Sequence, residues 1–250
     1  YEALGEHIDL ANYADYMLLN FYGGNLDWPY QNWNATKHAR NSAAFSDVNP
    51  TARFEFQCWD SETTLNWNGV TAVNDGFYDR TFLGDTEDIA NISFIYGRLK
   101  SNPEFRLLLA DRAQRLISPG GPLFVEPGAG AAGTPYEPGQ NRPADLYFER
   151  SLQIEDAVKL EYARWANYFV GIGSVSPADW EVERTRLLEE FFPVRSDILI
   201  QQLSAATPRM YPTTAAPAMS QYGGYIKPGF ELELSVPAGE VYVTTDGSDP

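Results

Sequence analysis

The chain is short of cysteine and histidine, and this excludes several kinds of site. Its 250 residues include one cysteine, Cys58, and two histidines, His7 and His38. A single cysteine forms no disulfide within the chain, and with only two histidines beside it the sequence shows no constellation of cysteine and histidine for a metal. Cys58 lies on an apolar segment, where we expect a buried and unreactive thiol. We expect neither histidine to act as a general base.

Basic residues are also scarce. The chain has 18 Lys and Arg against 34 Asp and Glu, a formal net charge of −16 and a pI near 4.4. Nucleic acids and anionic membranes attract clustered Lys and Arg, so this composition argues against both as partners. The sequence contains no apolar run of membrane-spanning length and no visible signal peptide. Because it opens on Tyr1 and stops after a strand-like segment, we expect a longer parent protein.

Three polar residues follow one another in an order typical of a phosphotransfer site. Asp27 lies in a loop after an apolar helix, Asn32 comes five positions later, and Asp60 ends the second of two strands. Phosphoryl transfer needs a carboxylate beside the attacking hydroxyl and hard oxygen ligands that hold Mg²⁺ against nucleotide phosphates. Asp27 suits the first role, and Asn32 with Asp60 suits the second. We expect the side-chain oxygens of Asn32 and Asp60 to lie roughly 3 to 6 Å apart.

The elements around these residues follow from local patterns. Apolar residues at helical spacing predict a helix that Asp9 caps and Gly23-Gly24 ends. Alternating patterns over residues 32–39 and 52–59 predict a β-hairpin between Asn32 and Asp60. Residues 61–88 are polar and aperiodic, which predicts a long ordered loop over the site.

The rest of the chain is predicted to be mainly helical, with a different C-terminal part. Helical spacing and cap signals predict helices at residues 89–100, 103–117, 143–169, 177–191 and 194–205. Gly, Pro and Ala dominate residues 118–142, which predicts a loop. A proline-rich linker is predicted at residues 207–217. Beyond it, alternation at residues 230–236 and 241–245 predicts two paired strands that begin a β-sandwich.

The motif residues resemble the CotH spore-coat kinase family. The resemblance rests on residues 12–29, Asn32-Trp33, Cys58-Trp59-Asp60 and Pro103-Glu104-Phe105-Arg106, and it covers about residues 1–206. Members of that family are atypical, secreted or surface-associated protein kinases. The resemblance implies an α+β chain, the mostly helical C-terminal lobe of an atypical protein-kinase-like fold with a short β-hairpin at the site. It also implies an extracellular or cell-surface location.

The same resemblance implies the chemistry of the site. Asp27 would be the catalytic residue, and Asn32 and Asp60 would bind Mg²⁺ and, through it, ATP. The γ-phosphate would pass to a Ser or Thr hydroxyl of a surface or coat protein. A kinase also needs an N-terminal lobe whose Lys holds the phosphates, and no candidate Lys precedes residue 9. We therefore expect that lobe upstream of Tyr1 and expect residues 1–250 alone to be inactive.

The C-terminal residues resemble a second family. Residues 224–250 are similar to the chitobiase and β-hexosaminidase C-terminal module, an Ig-like accessory domain often attached to extracellular bacterial proteins. The resemblance implies a kinase-like lobe at residues 1–206, a linker at 207–217 and the truncated start of a β-sandwich module at 218–250. Glycan contact through that module is a further expectation.

Two other functions remain open on the sequence alone. Asp27 and Asp60 could instead bind or hydrolyse a carbohydrate, because several tryptophans surround them, namely Trp28, Trp33, Trp59 and Trp67. Paired glycosidase carboxylates do not call for the intervening Asn32, which disfavours this alternative. The other possibility is a catalytically inactive surface module that keeps the fold. Titration with nucleotide and Mg²⁺ separates the kinase from both, and a glycan array separates those two.

Overall fold

The computed structural model describes residues 1–29, 31–37, 53–65, 79–81, 91–129, 131–169, 176–222 and 224–246. Over these ranges the chain is α+β, as the sequence predicts. The helices are α1 (Glu2–Gly5), α2 (Leu10–Gly23), α3 (Ser93–Leu99), α4 (Pro103–Ile117), α5 (Arg142–Phe169), α6 (Pro177–Arg186) and α7 (Phe192–Ala205), and a π-helical segment (Leu187–Phe191) joins α6 to α7. The strands are β1 (Trp33–Lys37), β2 (Phe54–Cys58), β3 (Ala218–Met219) and β4 (Leu234–Ser235). No helix in these ranges is long and apolar enough to cross a membrane.

Helix α2 lies at the centre of the core, and both of its predicted ends are confirmed. The Asp9 carboxylate accepts a hydrogen bond from the Asn12 amide at 2.9 Å and caps the first turn. Gly24 adopts the left-handed conformation (φ 59°) that ends the helix. The predicted apolar stripe is buried almost throughout, at Tyr13, Ala14, Met17, Leu18 and Phe21.

The predicted hairpin forms and is attached to α2 through Asn12. Strands β1 and β2 pair antiparallel, with Trp33 opposite Cys58. The Asn12 side chain accepts from the Phe56 amide at 2.6 Å and donates to the Phe56 carbonyl at 3.3 Å. It therefore pairs with β2 as a neighbouring strand would. Of the predicted strands and loop, residues 38–39, 52, 66–78 and 82–88 lie outside the described ranges.

Helices α3 and α4 also pack against α2, through the ring contacts of Tyr96 with Phe21 and of Phe105 with Tyr13. The predicted cap of α4 is confirmed, because the Asn102 side chain accepts from the Phe105 amide at 3.1 Å. Arg112 of α4 forms a two-pronged ion pair with Asp15 of α2, with Nε 2.7 Å from Oδ1. Helix α3 begins at Ser93, later than the predicted start at residue 89, and residues 89–90 are not described.

Arg195 of α7 binds the C-terminal end of α2. Its guanidinium has no exposed surface. Nε donates to the Tyr22 carbonyl at 2.6 Å, Nη2 donates to the Phe21 carbonyl, and Nη1 donates to Gln202 Oε1 at 3.0 Å. Burial lowers the pKa of Arg195 to about 10, so the group stays charged at neutral pH. Its charge complements the negative end of the α2 dipole, and its donors bind two carbonyls of the last helical turn.

The predicted loop at residues 118–142 is held by the π-helical segment. Proline lacks an amide hydrogen, so Pro193 cannot donate to the Glu189 carbonyl one turn earlier. Gly133 donates to that carbonyl instead, at 2.8 Å. The Glu189 carboxylate also accepts from the Tyr136 amide at 3.4 Å. The two predicted helices at 177–191 and 194–205 are thus one continuous helical stretch with a π-helical insertion.

The C-terminal part differs from the prediction in its strands. Met210, inside the predicted linker 207–217, is buried, and its amide donates to the Leu203 carbonyl of α7 at 2.9 Å. The predicted strand at residues 241–245 is wrong, because those residues form no strand. Only Leu234–Ser235 of the predicted strand 230–236 is a strand, and it pairs with Ala218–Met219.

A physical reason for this difference lies in burial. Most residues of the last described range, 224–246, are exposed, including Tyr225 at 89% and Tyr242 at 71%. Alternating sequences form stable strands when one face is buried against another layer, and an isolated two-stranded pair is marginal in water. The β-sandwich stays a prediction.

We predict that Arg195→Met destabilises the protein by about 2 to 4 kcal/mol, because the α2 carbonyls lose their buried donors. Urea unfolding followed by circular dichroism measures this free energy. Arg209→Met is the matched control, since Arg209 is exposed and the change removes the same charge. Equal losses in the two variants would contradict the capping role of Arg195.

Candidate functional site

The loop that carries Asp27 begins on a buried pair of amide side chains. Asn20, on the last turn of α2, and Asn25 are 2% and 1% exposed. Asn25 Nδ2 donates to Asn20 Oδ1 at 3.0 Å, and Asn20 Nδ2 donates to the Tyr16 carbonyl at 2.9 Å. The backbone amide of Asn25 also donates to the backbone carbonyl of Asn20 at 3.0 Å. The path of the chain out of α2 is therefore fixed by the helix itself.

The predicted catalytic carboxylate, Asp27, is held at both of its oxygens. Asn32 Nδ2 donates to Oδ2 at 2.8 Å, and Thr63 Oγ1 donates to Oδ1 at 2.8 Å. The Asp27 amide donates to Asn25 Oδ1 at 3.3 Å. Asp27 is half-buried, so it combines a fixed orientation with access to solvent.

Asn32 and Asp60 lie at the same end of the hairpin. Asn32 precedes β1 and Asp60 follows β2, and the Trp59 amide donates to the Asn32 carbonyl at 3.3 Å. Both residues have positive φ, 58° for Asn32 and 50° for Asp60. Among the non-glycine residues that the structure describes, Leu65 is the one other with positive φ. Asn and Asp tolerate this conformation best, and such backbone often marks functional sites.

The three predicted site residues lie in one hydrogen-bonded cluster. Besides its bond to Asp27, Asn32 Nδ2 donates to the Asp60 backbone carbonyl at 3.2 Å. This contact uses the carbonyl of Asp60 and not its carboxylate, which is exposed. The expected approach of the side-chain oxygens of Asn32 and Asp60 therefore stays a prediction.

A cation at this site would have few protein ligands. Within the described part of the chain, no group of three or more His, Cys, Asp or Glu residues is placed to hold a metal ion. The two predicted ligands, the Asn32 amide oxygen and the Asp60 carboxylate, would supply two oxygen donors. Mg²⁺ accepts so few protein ligands, because it keeps several waters and takes its other ligands from substrate phosphates.

The sequence analysis missed the residues that support Asp27. Thr63 approaches it from the segment after Asp60, and the Leu26 amide donates to the Thr63 carbonyl at 3.2 Å. Arg80 Nη2 donates to the Leu26 carbonyl at 2.6 Å. These contacts join positions 36 or more residues apart, so no local pattern announces them. The sequence did give a signal for the pair of Asn20 and Asn25. Side-chain amides at the end of an apolar helix are expected to be buried, and buried amides require hydrogen-bond partners.

The remaining polar and aromatic candidates lie at the edge of the cluster. Cys58 is half-buried, burial raises the pKa of its thiol, and Asn20 Nδ2 lies 3.7 Å from its sulfur. Trp28 belongs to the core, whereas Trp33 and Trp59 are 38% and 64% exposed beside the hairpin. His7 is exposed, and His38 and Trp67 fall outside the described residues.

Comparisons with known proteins return no match: no family model fits the chain, and no curated protein or solved structure is significantly similar to it. The resemblance to CotH kinases and to the chitobiase module therefore stays a prediction. The geometry around Asp27, Asn32 and Asp60 is the basis for assigning a function to the chain.

We predict that Asn25→Ala lowers the free energy of unfolding by about 2 to 3 kcal/mol, because buried partners on Asn20 and Asp27 lose their hydrogen bonds. Asn34→Ala is the matched control, since Asn34 is exposed on β1 and its loss should cost less than about 0.5 kcal/mol. Chemical denaturation of both variants measures the difference. A cost for Asn25→Ala as small as that of the control would show that the amide pair does not support the loop.

Proposed function

We propose that the chain carries the catalytic half of a Mg²⁺-dependent phosphotransferase, an atypical protein kinase of the CotH kind. ATP would be the donor, and a Ser or Thr hydroxyl of a surface or coat protein would be the acceptor. The observation that carries the proposal is the shared amide of Asn32, whose nitrogen lies 2.8 Å from Asp27 Oδ2 and 3.2 Å from the Asp60 carbonyl. One side chain thus joins the proposed acceptor side of the site to its metal side.

The orientation of that amide supports a metal role. An amide nitrogen donates hydrogen bonds and does not bind Mg²⁺, whereas an amide oxygen is a suitable ligand. Two hydrogen bonds from Nδ2 turn the Asn32 oxygen away from Asp27. That oxygen and the exposed Asp60 carboxylate are the atoms that would hold Mg²⁺. When bound, the ion would neutralise charge on the nucleotide phosphates.

The surroundings of Asp27 support its role as the residue that receives the substrate hydroxyl. A carboxylate oxygen accepts more than one hydrogen bond, so each oxygen of Asp27 keeps room for an incoming hydroxyl beside its present donor. The existing donors, Asn32 and Thr63, fix the plane of the carboxylate before substrate arrives. Fixed orientation is the main contribution a protein makes to this reaction, which needs little covalent assistance.

A carbohydrate-binding function is the second candidate, and one observation favours it. Trp33, the first residue of β1, and Trp59, which follows β2, expose 38% and 64% of their surface. Exposed indoles beside carboxylates can stack on sugars. Hydrolysis is less well supported, because Asn32 bridges Asp27 to the Asp60 backbone where a glycosidase would leave room for sugar and water.

We predict different effects for the two carboxylates in an active full-length protein that contains this chain. Asp27→Asn should lower turnover by about 100-fold or more and leave nucleotide binding nearly unchanged, because its role is felt in the transition state. Asp60→Ala should weaken Mg²⁺-dependent nucleotide binding about tenfold or more. Phosphate-transfer assays and calorimetry with Mg²⁺-ATP measure the two effects.

Glu62→Gln is the control for both substitutions. Glu62 is exposed and lies two residues after Asp60, and its change to Gln removes one negative charge, as each of the other two substitutions does. Near wild-type transfer by Asp27→Asn would show that Asp27 caps a turn and that the proposed mechanism is wrong.

We also predict that residues 1–250 alone transfer no phosphate and bind ATP weakly. Asp27 and Asp60 add negative charge beside a neutral amide, and no Lys or Arg precedes residue 9 to hold the phosphates. A transfer assay with Mg²⁺-ATP and a generic basic protein acceptor tests this. Strong phosphorylation by this chain alone would show that the nucleotide site lies within it.

A further inference from the structure

The segment after Asp60 returns to the Asp27 loop at one residue, Thr63. The Leu26 amide donates to the Thr63 carbonyl at 3.2 Å, which ties the two segments through their backbones. This bond places the Thr63 side chain beside the Asp27 carboxylate. Thr63 is half-buried, so its hydroxyl is only partly accessible to water.

The Thr63 hydroxyl has one proton and two possible acceptors. Asp27 Oδ1 lies 2.8 Å from Oγ1, and Asn25 Oδ1 lies 3.3 Å from it. Hydrogen bonds to a charged acceptor are shorter and stronger than those to a neutral one. The Thr63 hydroxyl therefore donates its hydrogen bond to Asp27 Oδ1. Asn25 is itself fixed by Asn20, which keeps the neutral acceptor in place behind the hydroxyl.

We infer that Thr63 is a positioning residue that orients the Asp27 carboxylate for phosphate transfer, an inference that rests on the proposed function. A carboxylate held at one oxygen still rotates about its side-chain bonds, whereas donors on both oxygens define its plane. Asn32 supplies one donor and also belongs to the metal side of the site. Thr63 supplies the other and touches neither Asn32 nor Asp60 through any hydrogen bond that the described residues make. Its loss therefore acts on the transfer step and spares metal and nucleotide binding.

The test compares three variants in the same active full-length protein that contains this chain. Thr63→Val keeps the shape of the side chain and removes the donor, so kcat should fall roughly 10- to 100-fold with the KM for ATP unchanged. Thr63→Ser restores the hydroxyl and should return kcat to within about threefold of wild type. Thr64→Val is the matched control, because the Thr64 hydroxyl donates to the Ser61 carbonyl at 2.8 Å and should leave kcat unchanged.

A second measurement on the 250-residue chain needs no activity. The ¹³C resonance of the Asp27 carboxyl should shift in Thr63→Val and stay near its wild-type position in Thr63→Ser and Thr64→Val, because it reports the lost hydrogen bond. A resonance that does not move in Thr63→Val would overturn the inference. Should Thr63→Val not fold, Thr63→Ala is measured in the same way.

The outcomes separate this inference from the proposed function. If Asp27→Asn abolishes transfer while Thr63→Val keeps wild-type kcat, Thr63 is not a positioning residue and the proposed function stands. If Asp27→Asn itself transfers phosphate normally, the proposed function fails. A phosphate found on Thr63 by mass spectrometry after incubation with Mg²⁺-ATP would also overturn the inference, since the hydroxyl would then be an acceptor.

Discussion

The contact between Arg195 and the end of α2 is the constraint on which the site depends. A fully buried guanidinium binds the Phe21 and Tyr22 carbonyls, immediately before the chain turns into the Asp27 loop. Burying a charge is costly unless it is hydrogen-bonded, and three acceptors together with the helix dipole offset that cost. Because Arg195 comes from α7, the end of α2 from which the loop departs is bound to the C-terminal helices as well as held by its own Asn20 and Asn25.

Helix α2 is bound to other elements at its start, middle and end, and one of these contacts holds the hairpin. Asn12 binds β2 near the start of the helix, Asp15 pairs with Arg112 of α4, and Asn20 holds Asn25 at the end. A frame of this kind can keep Asn32 and Asp60 in positive-φ conformations, which a free loop would leave. The strained residues at the mouth of the hairpin are thus supported from the core, as a preorganised site requires.

Local chemistry made part of this arrangement predictable. The caps at Asp9 and Asn102 and the closeness of Asp27 to Asn32 depend on a few neighbouring residues, so the sequence shows them directly. Arg195 and Thr63 could not be predicted, because each acts across a distance in sequence that only packing decides. The pairing of Leu234–Ser235 was predicted with the wrong partner, since alternation identifies a strand-like surface and does not say which segment lies against it.

The cluster also explains why an amide, and not a third carboxylate, stands between the two acids. At position 32 a side chain must donate to Asp27 and to the Asp60 carbonyl while it offers an oxygen toward a cation. Ionised aspartate has no hydrogen to donate. It would also add a third negative charge to the cluster of Asp27 and Asp60, in a chain whose formal net charge is already −16. Asparagine meets both requirements with one group. An Asp at position 32 would therefore separate from Asp27 instead of bonding it, and the carboxylate would lose the donor that links its orientation to the metal side of the site.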